Sequence, residues 1–252
     1  MTNNKSLEIM TNNKSLASKY LLYYSLKYKG NWDKIMKALQ TKEVIELDAL
    51  ENTYNAFTGN FITMLDAEYP ERLKQTLKPP FVLFYEGDIN LLNNENIMAI
   101  THTRYTNKAD LKDAETILIN DKPLTYLVAD TENDLDKAIL DMGKPTIAVL
   151  GYPLFLNKNH NVDLIITDIP NNVLCKTQDG IMGKYRIMAG IAHKHLVLSA
   201  TKMSSGMVMV NMMLHLNKEV MVLPKDIGDT DLVNNQLLYE GATPISASWQ
   251  IN

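Results

Sequence analysis

The sequence predicts an α/β fold: a doubly wound, mainly parallel sheet preceded by a small helical domain. Three observations carry that expectation. From about residue 66 short apolar runs of strand length recur, helical patterns separate several of them, and the stretch before them reads as helix. Short buried strands that alternate with helices make a sheet covered on both faces, whose strands run mainly parallel.

The chain is large enough to carry this plan. Its 252 residues are 46% hydrophobic, sufficient for a sizeable core and unlike a disordered chain. No apolar run reaches the roughly 18 residues of a membrane span, and no secretory leader is recognisable. The single cysteine, Cys175, excludes an internal disulfide framework and fits a reducing cytoplasm. A net charge of −4 argues against a protein that coats nucleic acid indiscriminately.

In chain order, MTNNKSLEI followed by MTNNKSLASKY is a short direct repeat. Residues 1–15 read as a leader, with the true start at Met1 or Met10. Helical patterns follow at 16–29, at 32–40 with Asn31 as N-cap, and at about 43–56, which assigns 16–65 to a helical domain. The tyrosines of YLLYYSLKY recur at helical spacing and are expected in the core. Next come the strands PPFVLFYEG, NIMAITHT, LTYLVAD, PTIAVLG, DLIITD, HLVLSA and EVMVLP. Helices are expected at 107–119, 133–142, 184–192, 205–217 and 232–240. The sheet domain spans 66–245, and 246–252 is a tail.

In such a sheet ligands sit beyond the carboxyl ends of the strands. Three strand-to-helix turns therefore hold the candidate chemistry: THTRYTNK, VADTENDL and SATKMSSG. The first places Arg104 in a polar loop without glycine. The second is acidic through Asp130, Glu132 and Asp134. The third sets Ser204, Ser205 and Gly206 at a helix N-terminus beside Lys202, which makes it the best anion site of the three. Charge agrees: residues 176–202 hold Lys176, Lys184, Arg186, Lys194 and Lys202 against Asp179 alone. No zinc spacing, nucleophile elbow or P-loop is present.

Several stretches, in one order, resemble the DNA-processing protein A (Smf) family over about residues 68–245. They are EYPERLKQTLKPPFVLFYEGDINLL, IMAITHTR, KPTIAVLG, KYRIMAGIA, SSGMVMV, VMVLP and NQLLYEGA. The resemblance implies a Rossmann-like domain that binds single-stranded DNA during transformation. It also implies help in loading the RecA recombinase, a homodimer, and no catalysis, cofactor or metal. The binding residues are Arg104, Lys184, Arg186, Lys202, Ser204, Ser205, Gly206 and Asn235; because the helix carrying Lys184 and Arg186 precedes the strand that the Ser205–Gly206 turn follows, the topology predicts that this exposed pair converges with the turn. The chain departs from the family pattern where His102 replaces a glycine, where VADTENDL replaces a glycine-rich stretch, and where Lys225 follows Pro224. Two other readings stand beside it: a divergent paralogue that has lost DNA binding and acts through protein contacts, favoured by the acidic turn and the net negative charge, and an enzyme, because the fold resembles that of phosphoribohydrolases acting on nucleoside monophosphates.

Overall fold

The computed structural model describes residues 14–103, 108–119, 123–129, 134–159, 161–174, 178–226, 228 and 232–251. The chain begins with α1 (Leu16–Lys27), α2 (Trp32–Gln40) and α3 (Leu47–Ala56). Ser15 caps α1 by accepting from the Ser18 amide, and Asn31 caps α2 by accepting from the Lys34 amide at 3.0 Å. Among the tyrosines of α1, Tyr24 is buried and its hydroxyl donates to the Glu43 carbonyl at 2.7 Å, as a core tyrosine must.

Two strands then open the sheet, β1 (Asn60–Thr63) and β2 (Val82–Gly87), followed by β3 (Ile97–Thr101). The chain continues through α4 (Lys108–Leu118), β4 (Thr125–Val128), α5 (Asp134–Asp141), β5 (Thr146–Val149) and β6 (Leu164–Thr167). It ends with α6 (Gln178–Ile191), β7 (Lys194–Val197), α7 (Ser205–His215), β8 (Glu219–Val222), α8 (Asn234–Tyr239) and β9 (Thr243–Pro244). Among the described residues the sheet order is β1-β2-β6-β5-β4-β3-β7-β8-β9. From β6 to β9 every neighbouring pair is parallel; β1 and β2 form an antiparallel edge. This is the doubly wound, Rossmann-like arrangement that the alternation predicts. None of the described helices is long and apolar enough to cross a membrane.

Helices α1–α3 do not pack apart from this sheet. Leu22, Ile35 and Leu50 share one apolar cluster with Phe84, Met98 and Ile100 of the strands. The strand β1 lies inside the stretch expected to be helical, and Thr63 on it bonds Ser18 of α1 at 3.1 Å. The sequence pattern missed β1 because NFIT is too short to display alternation.

The second correction concerns α6. Its pattern reads as a helix over 184–192, yet the helix starts at Gln178 and runs through Gly180 and Gly183. Each glycine costs about 1 kcal/mol in a helix interior, but burial of one face against neighbours outweighs propensity. Gly190 is essential for that burial. A Cβ there would lie 2.4 Å from Leu73 Cδ1 and 2.7 Å from Thr76 Cγ2.

At its C-terminus α6 is held by two cations from remote segments. Lys218 Nζ donates to the carbonyls of Ala189, Gly190 and Ala192 at 2.7, 2.9 and 2.6 Å. Arg72 donates to the carbonyls of Ile191 and Leu92. Burial, with the Arg72 charge beside it, pulls the Lys218 ammonium down to about 8, so it stays charged at neutral pH. Positive charge here opposes the negative end of the helix dipole and satisfies carbonyls that lack an intrahelical partner. Lys218→Met is therefore expected to lower the unfolding free energy by about 2 kcal/mol at pH 7, read from urea titration. A loss indistinguishable from zero would mean that water replaces the ammonium without cost.

Candidate functional site

From β3 the chain turns to one side and lays down β4, β5 and β6, then crosses back through α6 to place β7 on the other side of β3. The carboxyl ends of β3 and β7 are thus the topological switch point, where an open α/β sheet leaves a crevice. Short polar side chains join the two ends. The Thr103 amide donates to Ser199 Oγ at 2.9 Å, the two hydroxyls lie 3.1 Å apart, and the Leu198 amide donates to the Thr101 carbonyl at 2.9 Å.

Helix α7 starts beside this crevice. Ser204 occupies its N-cap position but does not cap it: Oγ donates to the Thr201 carbonyl at 2.8 Å and accepts from the Thr201 amide at 3.2 Å. The first turn of α7 contains no acidic residue. The Ser205 and Gly206 amides and the positive end of the helix dipole are thereby left to an anion, while the Met207 amide bonds the Ser204 carbonyl. Gly206 is buried, and a Cβ on it would sit 3.4 Å from Thr101 Oγ1, so the helix start fits closely against the end of β3. Lys202 is exposed next to this turn.

Beneath the crevice His195 is fully buried, with Nε2 2.7 Å from Thr101 Oγ1, while its Nδ1 has no partner among the described residues. Burial pushes its pKa down to about 3. His193, half-buried near Arg72 and Lys218, falls to about 4 through that burial and the two charges, and its Nδ1 accepts from the Ile97 amide. Both histidines are therefore neutral at physiological pH.

Sequence reasoning located the helix start and missed its supports. Asn234 is fully buried; it accepts from the Ala200 amide and donates to the carbonyls of Leu198 and Leu223, tying the loop after β7 to the end of β8. The expected Asn235 lies one residue along and instead exchanges hydrogen bonds with the Lys225 backbone at 2.7 and 3.0 Å. His102, noted only as the residue replacing a glycine, donates from Nδ1 to the Thr103 carbonyl at 2.8 Å. Its Nε2 lies 3.4 Å from the buried Asp136 carboxylate. Arg104 and turn residues 130–133 lie outside the described residues.

The basic pair is corrected. With α6 beginning at Gln178, Lys184 and Arg186 lie in mid-helix. Lys184 is only 6% exposed, its ammonium donating to the Ala129 carbonyl at 2.6 Å beyond β4. Arg186 donates to Asp168 at 2.6 Å, beyond β6. Strands β5 and β4 thus lie between Arg186 and the switch point, whereas Lys184 reaches the end of β4, the strand next to β3, and is already engaged there. Burial pushes the Asp168 carboxyl up and the Arg186 guanidinium opposes that shift.

Two measurements check these environments. Arg186→Ala strands a part-buried carboxylate and is expected to cost about 2 kcal/mol of stability, most of it recovered by adding Asp168→Asn. His195 is neutral in the fold to about pH 3 but protonates near 6.5 when unfolded, so its contribution is lost as pH falls below 6.5. The stability advantage of the wild type over His195→Gln should shrink by up to about 1.4 kcal/mol per pH unit in urea titrations between pH 6.5 and 4.5. A pH-independent difference would contradict a neutral, buried imidazole.

The sequence model of a family described as DNA recombination-mediator protein A matches residues 60–128 and 134–251. No curated protein sequence matches the chain. Its structure is similar to the X-ray structure of DNA processing protein A from Streptococcus pneumoniae, with TM-score 0.70, 20% identity and 92% of each chain covered. It is also similar to DNA processing protein A from Helicobacter pylori, a structure described for its single-stranded DNA binding mode. There the TM-score is 0.66, identity is 18%, and coverage is 76% of this chain and 94% of the other.

Proposed function

The chain belongs to the DNA recombination-mediator protein A family, and from that premise we propose that it binds single-stranded DNA at the β3–β7 switch point and carries out no chemistry on it. One observation carries the reading: the N-terminus of α7 is left without a side-chain cap, without an acid, and pressed against the end of β3. Backbone amides of Ser205 and Gly206, the Ser205 hydroxyl and the exposed Lys202 form the phosphate-binding set, and Arg104, next in sequence after Thr103, is assigned to the same set. Asn235 braces the turn after β8 through Lys225. Lys184 and Arg186 support the scaffold, since both cations are already engaged by acceptors within the fold. Cytoplasmic DNA delivered in this way, by a homodimer, would be passed to the RecA recombinase.

A second reading, a relative that works through protein contacts alone, draws support from His102 and Asp136. They put a side chain and a buried carboxylate beside the switch point. Titration of oligo(dT) at several salt concentrations separates the two. Binding should be salt-dependent, and Lys202→Ala should lower the slope of log affinity against log salt by about 0.7, the single-strand value for one phosphate. Ser205→Asp should weaken binding about tenfold or more, yet leave thermal stability unchanged or higher, because an acid at a helix start suits the dipole. Absent binding, or binding indifferent to both changes, would favour the second reading.

A further inference from the structure

On the side of α6 and α7 away from the sheet, the molecule carries a groove of about 870 Å3. Its other wall is the turn between α1 and α2 together with residues 76–78, and one end is closed by Asp168 and Ile169 after β6. The floor is apolar, formed by Ile169, Ala189, Val208, Met212 and Leu216. Leu77 stands at the lip, 86% exposed.

The walls are fixed before anything enters. Trp32 stacks on Phe81 at 5.5 Å and its indole donates to the Pro79 carbonyl at 2.9 Å. Asn172 donates to the Leu26 carbonyl at 2.7 Å. Gly30, at φ 74°, brings the turn so near the chain after β6 that a Cβ would lie 3.0 Å from the Asp168 carbonyl. A preformed apolar cleft loses little conformational entropy on binding.

Charge selects the occupant. Of the four cations that line the groove, Lys78 is held by Asp33 and Arg186 by Asp168, whereas Lys29 and Lys34 have no acidic partner among the described residues. Asp179 is the one lining carboxylate, among the described residues, outside those pairs. A nucleic acid would meet only two unengaged cations over an apolar floor that offers its phosphates nothing. A protein segment with apolar anchors would fill the floor, and carboxylates beside them would meet Lys29 and Lys34.

We propose that this groove docks a segment of another protein that presents apolar side chains flanked by carboxylates. The surface is distinct from the switch point, so single-stranded DNA binding can fail or hold independently of it. The test uses the full chain and two fluorescein-labelled amphipathic helical peptides with the same leucine face, one bearing Glu and the other Lys on the opposite face. Fluorescence anisotropy should detect binding of the Glu peptide and binding of the Lys peptide about tenfold weaker or less. Leu77→Glu, at a site too exposed to disturb folding, should weaken the Glu peptide about tenfold, and Lys29→Glu with Lys34→Glu should invert the preference. Oligo(dT) affinity should be unchanged in all of these variants. The proposal is overturned if neither peptide binds, if both bind alike, or if Leu77→Glu has no effect. It is equally overturned if oligo(dT) displaces the Glu peptide, which would mark a nucleic-acid groove. Self-association that Leu77→Glu abolishes and that excludes the peptide would assign the groove to a second copy.

Discussion

The architecture depends on how one helix is brought to a stop. Helix α6 carries the chain from one half of the sheet to the other, and its last carbonyls end in the protein interior, where water cannot serve them. Arg72 comes from the turn before β2 and Lys218 from the approach to β8, and together they supply the missing donors. Burial, and after it the neighbouring Arg72 charge, depresses the Lys218 pKa. The two cations are tolerated because the dipole of a fourteen-residue helix ends between them. Directly afterwards the His193 amide bonds the Ile97 carbonyl, and β7 enters in register with β3. The switch point exists because that stop is fixed.

Around the switch point, polar groups are sorted by depth. Asn234 and Ser199 are buried; Asn234 spends its hydrogen bonds on backbone, and Ser199 shares its own between the Thr103 amide and hydroxyl. Thr101 binds His195, which burial keeps neutral, so no positive charge lies under the crevice from that source. Higher up, Ser204 turns its hydroxyl back on Thr201 and leaves the Ser205 and Gly206 amides open. Recognition capacity is therefore concentrated in backbone dipoles and in exposed Lys202, while the interior beneath them is electrically quiet.

The sheet could be read from the sequence because its strands are buried on both faces and therefore appear as unbroken apolar runs. All seven expected runs contain a strand of the sheet, from VLFYEG to EVMV. The two edge strands escaped notice, since NFIT and the pair Thr243–Pro244 are too short to carry a pattern. At the site, Ser204–Gly206 was found because small residues at a strand-to-helix turn have a local signature. Lys184 and Arg186 were misplaced for the opposite reason. Whether a cation faces solvent or an acceptor within the fold is decided by residues remote in sequence, here the Ala129 carbonyl and the Asp168 carboxylate, and no local pattern reports them. Asn234 and Asn235 are adjacent and chemically identical, so only the tertiary fold tells them apart.

The antiparallel edge constrains the order in which the molecule can be made. Strand β2 precedes β3 in the chain, yet its partner is β6, with Phe84 opposite Thr167. During synthesis the N-terminal helices and β1–β2 emerge first, but the strand they dock on is among the later parts of the sheet to appear. Until residue 167 has left the ribosome, Phe84 and the apolar faces of α1–α3 have no completed surface to cover. Contacts of such long sequence separation are slow to form and leave hydrophobic surface open meanwhile. The nascent N-terminal region is thus the segment with most to gain from a chaperone. A truncation that ends before β6 should yield an aggregating fragment and not a compact helical domain.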